Sequence, residues 1–137
     1  MSNTKHQIVV IGAGTGGLTV AAALKKQNSS LDIAIIDPAE THYYQPAWTL
    51  VGANAYDFDK TGRPMKSLIP SGVKWIKNYV SEVSGANNTV TLDNGEIIEY
   101  EYFMYDMYPY VIRHYFQRSI PVRWSEVKVI LLHVDLN

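Results

Sequence analysis

Gly12-Ala13-Gly14-Thr15-Gly16-Gly17 decides the fold. It lies between the apolar run Ile8-Val9-Val10-Ile11 and the Ala- and Leu-rich run Leu18 to Gln27. Asp37 follows Gly17 by twenty residues. This is the spacing of a dinucleotide-binding βαβ unit. Gly12 permits the tight strand-to-helix turn, Gly14 lets the backbone approach a pyrophosphate, and Gly17 lets the helix lie close on the strand. The helix N-terminus then presents unpaired N–H groups and a partial positive charge to phosphates. Asp37 is placed to accept hydrogen bonds from the adenosine ribose, and its charge disfavours a 2′-phosphate.

The flanks carry the same reading. His6-Gln7 leads into Ile8 to Ile11, a short β-branched run typical of a buried parallel strand. The helix ends in Lys25-Lys26, suited to a last turn, and Asn28-Ser29-Ser30 breaks it. Leu31 to Ile36 reads as the second strand, with Asp37 at its C-terminal end. The alternative is a glycine-rich turn without a ligand.

Composition sets the outer limits. The 137 residues suit one domain, and 47% apolar with 18% charged residues are globular values. A net charge of −1 gives no basic field for nucleic acid. No apolar run approaches the roughly 18 residues of a membrane span. The N-terminus carries no signal-peptide pattern, so a cytoplasmic location is the default expectation. There is no cysteine, which excludes disulfides and thiol chemistry within this chain. His6, His42, His114 and His133 show no metal-ligand spacing.

Beyond Asp37, the aromatic stretch 38–53 reads as a loop and short helix. Tyr43, Tyr44 and Trp48 are placed either in the core or at a site. Arg63 to Pro70 reads as a short helix opened by Pro64. Val73 to Lys77 alternates as a strand, and Tyr79 to Val83 continues the apolar spacing. Asn88 to Leu92 and Glu96 to Tyr100 flank Asp93-Asn94-Gly95, a hairpin signal because Asn and Gly both tolerate positive φ. The fold class is therefore α/β: a Rossmann-like βαβ unit followed by a small antiparallel ribbon. After Tyr102 the pattern dissolves: six of the ten tyrosines crowd into positions 100–115. Val127 to Val134 reads as a terminal strand.

Residues 8–37, with His42-Tyr43-Tyr44-Gln45-Pro46 and Trp48-Thr49-Leu50-Val51-Gly52, resemble the sulfide:quinone oxidoreductases. These are flavoproteins of the pyridine nucleotide-disulfide oxidoreductase group. Arg63-Pro64-Met65 and Ile69 to Ile76 strengthen the resemblance, which covers about residues 6–104. It implies FAD as cofactor, sulfide and quinone as small-molecule partners, and electron flow from sulfide through FAD to a membrane quinone. Thr15 and Gly16 are then expected to contact the FAD pyrophosphate and Asp37 the ribose. Gln45 matches a position close to the cofactor, and Val80 one whose backbone pairs with adenine. The cofactor-binding set is Gly12, Gly14, Thr15, Gly16, Gly17, Asp37, Gln45 and Val80.

The departures from the family pattern concern the far end. The family continues after Tyr102 with an apolar strand ending in a small residue, one further residue, and glycine. Here Phe103-Met104-Tyr105 begin that strand, and Asp106 and Tyr108 occupy the small positions. The family's redox cysteines and membrane-associating C-terminal part have no counterpart. The expected organisation is a partial FAD-binding region, 1–104, and a divergent tail, 105–137, of the kind a shifted reading frame produces. On this reading the chain alone is catalytically incomplete, and the expected location is cytoplasmic or, by the family's peripheral membrane association, the cytoplasmic face of a membrane. The alternatives are a non-catalytic nucleotide-binding module or remnant, and a small NAD-dependent dehydrogenase. Uncovered strand edges and one bare sheet face are expected to make folding marginal.

Overall fold

The computed structural model describes residues 4–105. Strand β1 (Thr4–Ile11) feeds helix α1 (Thr15–Gln27), which returns as β2 (Ile33–Ile36). A long excursion follows, containing β3 (Thr41–Tyr43), a 3-10 turn (Gln45–Ala47), helix α2 (Trp48–Gly52), a second 3-10 turn (Phe58–Thr61), β4 (Gly62–Pro64) and a third 3-10 turn (Met65–Ser67). The chain re-enters the sheet as β5 (Val73–Ile76) and finishes with β6 (Val80–Ser84), β7 (Thr89–Leu92) and β8 (Ile97–Tyr105). The six-stranded sheet has the order β5-β2-β1-β8-β7-β6, and β3 and β4 form a separate antiparallel pair.

The four strands β5, β2, β1 and β8 are parallel. β2 lies on one side of β1 and β8 on the other, so β1 is the point at which strand order reverses. In open α/β sheets ligands bind at the carboxyl ends of the strands flanking such a point.

Strand alternation divides the core into two layers. On one face, Val10, Ile33 and Ile35 pack with Ala21 and the partly buried Leu18 and Leu24 of α1. The helix buries Gly17, Val20 and Ala21, with Leu24 one turn on, a stripe at i, i+3, i+4 and i+7. On the other face, Val9 and Ile36 pack under Val83, Val90, Leu92 and Ile98 of the β6-β7-β8 ribbon. The expectation of a bare sheet face does not hold for the described residues: the ribbon curls over and covers it.

Several elements differ from their sequence reading. β1 starts at Thr4 rather than near Ile8, because Thr4, Lys5 and His6 are drawn into register with Ile98, Glu99 and Tyr100 of β8. Residues 96–100 and 103–105, read as separate strands, fall in one continuous strand of 9 residues that begins at Ile97. Phe103 to Tyr105 therefore continue this strand rather than open a new one. The parity of its core-facing side chains changes between Tyr100 and Phe103, as the strand passes from ribbon to parallel sheet. The 63–70 segment is not a helix from Pro64. Pro64 pairs with Thr41 in β4, and only Met65–Ser67 turns.

The hairpin forms, but not with two positive-φ residues. Gly95 alone is left-handed, at φ 82°. Its N–H donates to the Leu92 carbonyl, and the Leu92 N–H donates to the Glu96 carbonyl, each at 2.9 Å. This is a three-residue loop closed by a glycine bulge. Helix α1 ends as its sequence indicates: Lys25 Nζ donates to the carbonyls of Ser29 and Leu31 at 2.7 and 2.9 Å. Asp106, Tyr108 and the 127–134 strand reading lie outside the described residues.

Candidate functional site

The glycine loop is built as its spacing requires. Gly12 has φ 97°, a conformation that side chains rarely adopt, and its N–H donates to the Ile36 carbonyl at 2.9 Å. Gly14 is the extended N-cap of α1, and its carbonyl accepts from the Leu18 N–H at 3.0 Å. Thr15, Gly16 and Gly17 therefore form the first turn, whose N–H groups have no partner within the helix. No acidic side chain occupies that turn. A Cβ at Gly17 would stand 2.1 Å from the Gly12 carbonyl oxygen, so only glycine brings α1 this close to the loop.

Asp37 is more than a strand-end acid. Its Oδ2 accepts from the Ala13 N–H and its Oδ1 from the Ala39 N–H, both at 2.7 Å. Its own N–H donates to the Ile76 carbonyl at 3.1 Å, and its carbonyl accepts from Trp75 Nε1 at 2.8 Å. β5 thus holds the Asp37 backbone while the carboxylate holds the glycine loop. Each carboxylate oxygen can accept more than one hydrogen bond, so Asp37 keeps capacity for a ligand hydroxyl.

Val80 sits on β6, the sheet's outer strand, and packs against the core cluster containing Ile36, as the partly buried Ile11 and Ile76 also do. The Asp93 N–H donates to the Tyr79 carbonyl at 3.0 Å, and Val80 opposes Leu92. In this register Val80 belongs to a pair that does not exchange hydrogen bonds, so its own N–H and C=O face away from β7.

Gln45 opens the first 3-10 turn and is exposed. Its segment is tied to the loop through His42, whose Nδ1 lies 3.1 Å from the Ala13 carbonyl. A carbonyl only accepts, so Nδ1 carries the proton in this bond. Tyr43, Tyr44 and Trp48 do not enter the core; all are at least two-fifths exposed. Tyr43, Trp48 and Phe58 pack on one another, with ring centroids 5.5–6.2 Å apart. Trp48 Nε1 donates to the buried Thr61 hydroxyl at 3.3 Å.

Beside the loop lies a cavity of about 340 Å³. Thr15 and Thr19 of α1 form one wall, and His42, Tyr44, Lys60 and Arg63 of the excursion line the other. Sequence reasoning missed His42, Lys60, Trp75 and Arg63. His42, Trp75 and Arg63 stand in stretches quoted for strand alternation, loop character or family likeness, and no spacing rule links any of the four to Ala13 or Asp37. Among the described residues no cluster of three or more His, Asp or Glu could hold a metal. No helix there is long and apolar enough to cross a membrane.

The strand order, the glycine loop and the acid at the end of β2 define a dinucleotide-binding oxidoreductase fold. The chain belongs to the pyridine nucleotide-disulphide oxidoreductase family, whose model matches residues 6–105. Within that family it is similar to sulfide:quinone oxidoreductases. It is 40% identical over 99 residues to the mitochondrial sulfide:quinone oxidoreductase of Mus musculus, and 39% identical over 99 residues to that of Dictyostelium discoideum. Each match covers 72% of this chain and 22% of the relative, so the chain spans about a fifth of their length. The crystal structure of the sulfide:quinone oxidoreductase from Aquifex aeolicus superposes with a TM-score of 0.63 at 24% identity. That superposition covers 74% of this chain and 24% of the other and shows a common fold.

Proposed function

We propose that this chain is the FAD-binding portion of an oxidoreductase like the sulfide:quinone oxidoreductases. The observation that carries the reading is the Gly12–Gly17 loop held by Asp37; the outward main-chain groups of Val80 add to it. Together they offer donors for a diphosphate, an acceptor for a ribose and a main-chain pair for an adenine edge. The fit is physical: a Cβ at Gly17 would collide with the loop, and Gly12 needs its positive φ. Gly14, Thr15 and Gly16 would hold the pyrophosphate through N–H groups, and Asp37 the ribose hydroxyls. Gln45, on the segment tethered by His42, would approach the cofactor from the excursion.

Bound FAD would supply two-electron acceptance from a sulfur donor and delivery to a quinone. The chain's own residues bind and orient. Asp37 fixes the loop before ligand arrives, so little conformational freedom is lost on binding. With no cysteine, the chain has no thiolate to attack or carry sulfur. It is therefore proposed to be catalytically incomplete alone.

The test is a titration of the purified 137-residue chain with FAD, ADP and NAD by calorimetry and flavin fluorescence. FAD binding at one site, with NAD much weaker, is the expected result. Binding of ADP and NAD without a preference for FAD would favour a general nucleotide-binding module. Sulfide-dependent quinone reduction by the FAD-loaded chain would overturn the claim of incompleteness.

A further inference from the structure

The cavity beside α1 has a feature that the glycine motif does not account for. Lys60 and Arg63 both line it, and no carboxylate does. Neither has an ion pair or side-chain hydrogen bond among the described residues, where Lys5 and Lys77 each face an acid. Asp57 and Asp59 are close in sequence, but the Asp57 carboxylate accepts from the Asp59 N–H and neither aspartate lines the cavity. Two unmatched positive charges thus share an acid-free wall. The opposite wall is the first turn of α1, through Thr15. Tyr44, Leu18 and Leu68 supply apolar surface between them. The cavity volume of about 340 Å³ lies at the lower end for small-molecule sites, and suits part of a ligand rather than a whole dinucleotide.

We propose that Lys60 and Arg63 are diphosphate-binding residues, reaching across the cavity to the two phosphates of a dinucleotide seated on the Gly12–Gly17 loop. The inference rests on the FAD reading and extends it. The loop contributes only neutral N–H donors and a helix dipole, which together offset part of a charge of about −2. Lys60 and Arg63 supply the remainder as full charges. Arg63 offers planar paired donors and Lys60 a point charge, a division suited to two adjoining phosphate groups. The position of these cations on the excursion explains why no glycine-motif spacing reveals them. It also gives the excursion a role: His42 anchors its near end to Ala13, and β4 carries Arg63 back over the helix start.

The experiment compares FAD and ADP binding by the full chain with K60A/R63A, R63K and K66A variants, over a range of salt concentrations. Lys66 is exposed and does not line the cavity, so it controls for net charge. Lys60 and Arg63 are also exposed, and circular dichroism of each variant checks that its fold is intact. The double variant is expected to bind both ligands about tenfold or more weakly, the scale of one charge-assisted hydrogen bond. Its affinity should also depend less on salt than that of the parent chain. R63K should retain more affinity than the double variant, and K66A should match the parent. FAD binding by the parent with unchanged affinity and salt dependence in K60A/R63A overturns the inference and leaves the FAD reading standing. Equal losses in K66A and K60A/R63A overturn it as a general charge effect. Absence of FAD and ADP binding by the parent overturns both readings.

Discussion

At Gly17 the constraint is atomic. The missing Cβ is what allows α1 to lie against the loop, because a Cβ there would stand 2.1 Å from the Gly12 carbonyl oxygen. The clash cannot be relieved cheaply, because the oxygen is backbone and Val10 Cγ1 would also stand only 3.2 Å from that Cβ. Gly17→Ala is expected to cost about 3 kcal/mol, the upper range of overpacking. Urea denaturation would measure it, and a loss below about 0.5 kcal/mol, the range of neutral surface substitutions, would refute the close-approach argument. Asp37 shows the opposite balance. Its role as strand-end acid was legible from spacing, but its hold on Ala13 and Ala39 was not. Those bonds depend on where the backbone turns, and no residue type announces them.

At the scale of elements, the ribbon shows how local chemistry and tertiary contact divide the work. Asp93-Asn94-Gly95 correctly marks the turn, while loop geometry follows from strand register. Gly95 is left-handed, and nothing stands within 4 Å of a Cβ placed there. Gly95→Ala is therefore expected to cost about 1–2 kcal/mol from backbone strain alone, with an unchanged denaturant slope. Asn94 is not at positive φ, and its side chain instead accepts from the Glu96 N–H at 3.0 Å. The excursion between β2 and β5 was legible as aromatic-rich, but not as a three-ring cluster around Tyr43, Trp48 and Phe58. Phe58 lies ten residues beyond Trp48, and only the fold brings them together.

At the scale of the whole molecule, stability is coupled to ligand and to pH. If FAD binds the folded chain alone, ligand at about 100 times its dissociation constant should add about 2.7 kcal/mol. A thermal midpoint that does not move with FAD concentration would contradict this. The alkaline limit follows from buried tyrosines. Burial raises the Tyr105 hydroxyl to about 12, and raises Tyr100 as well. A raised value means that the folded state holds its proton more tightly than the unfolded chain. This stabilising contribution is whole below the ordinary tyrosine value of 10.0 and is lost as pH climbs towards 12. Tyr105→Phe should flatten that alkaline decline, measured by urea midpoints across the range. In acid, Glu40, paired with Lys77, is held below its ordinary value. Its small contribution is present above 4.5 and is lost as pH falls through the lowered value.

The sequence by itself determined the βαβ unit, its glycine loop and its acid. Each depends on local rules: backbone freedom at glycine, a helical apolar stripe, and a β-branched run. It also determined that the chain carries no thiol. Only the tertiary structure decided that Ile97–Tyr105 is one strand shared by ribbon and parallel sheet, and that β1 begins at Thr4. It alone turned Val80's main-chain groups outward, bound His42 to Ala13, and set Lys60 and Arg63 across a cavity from Thr15. The physical reason is common to all of these. They are pairings between segments distant along the chain, fixed by register and burial, and sequence periodicity reports a segment's own shape rather than its partner.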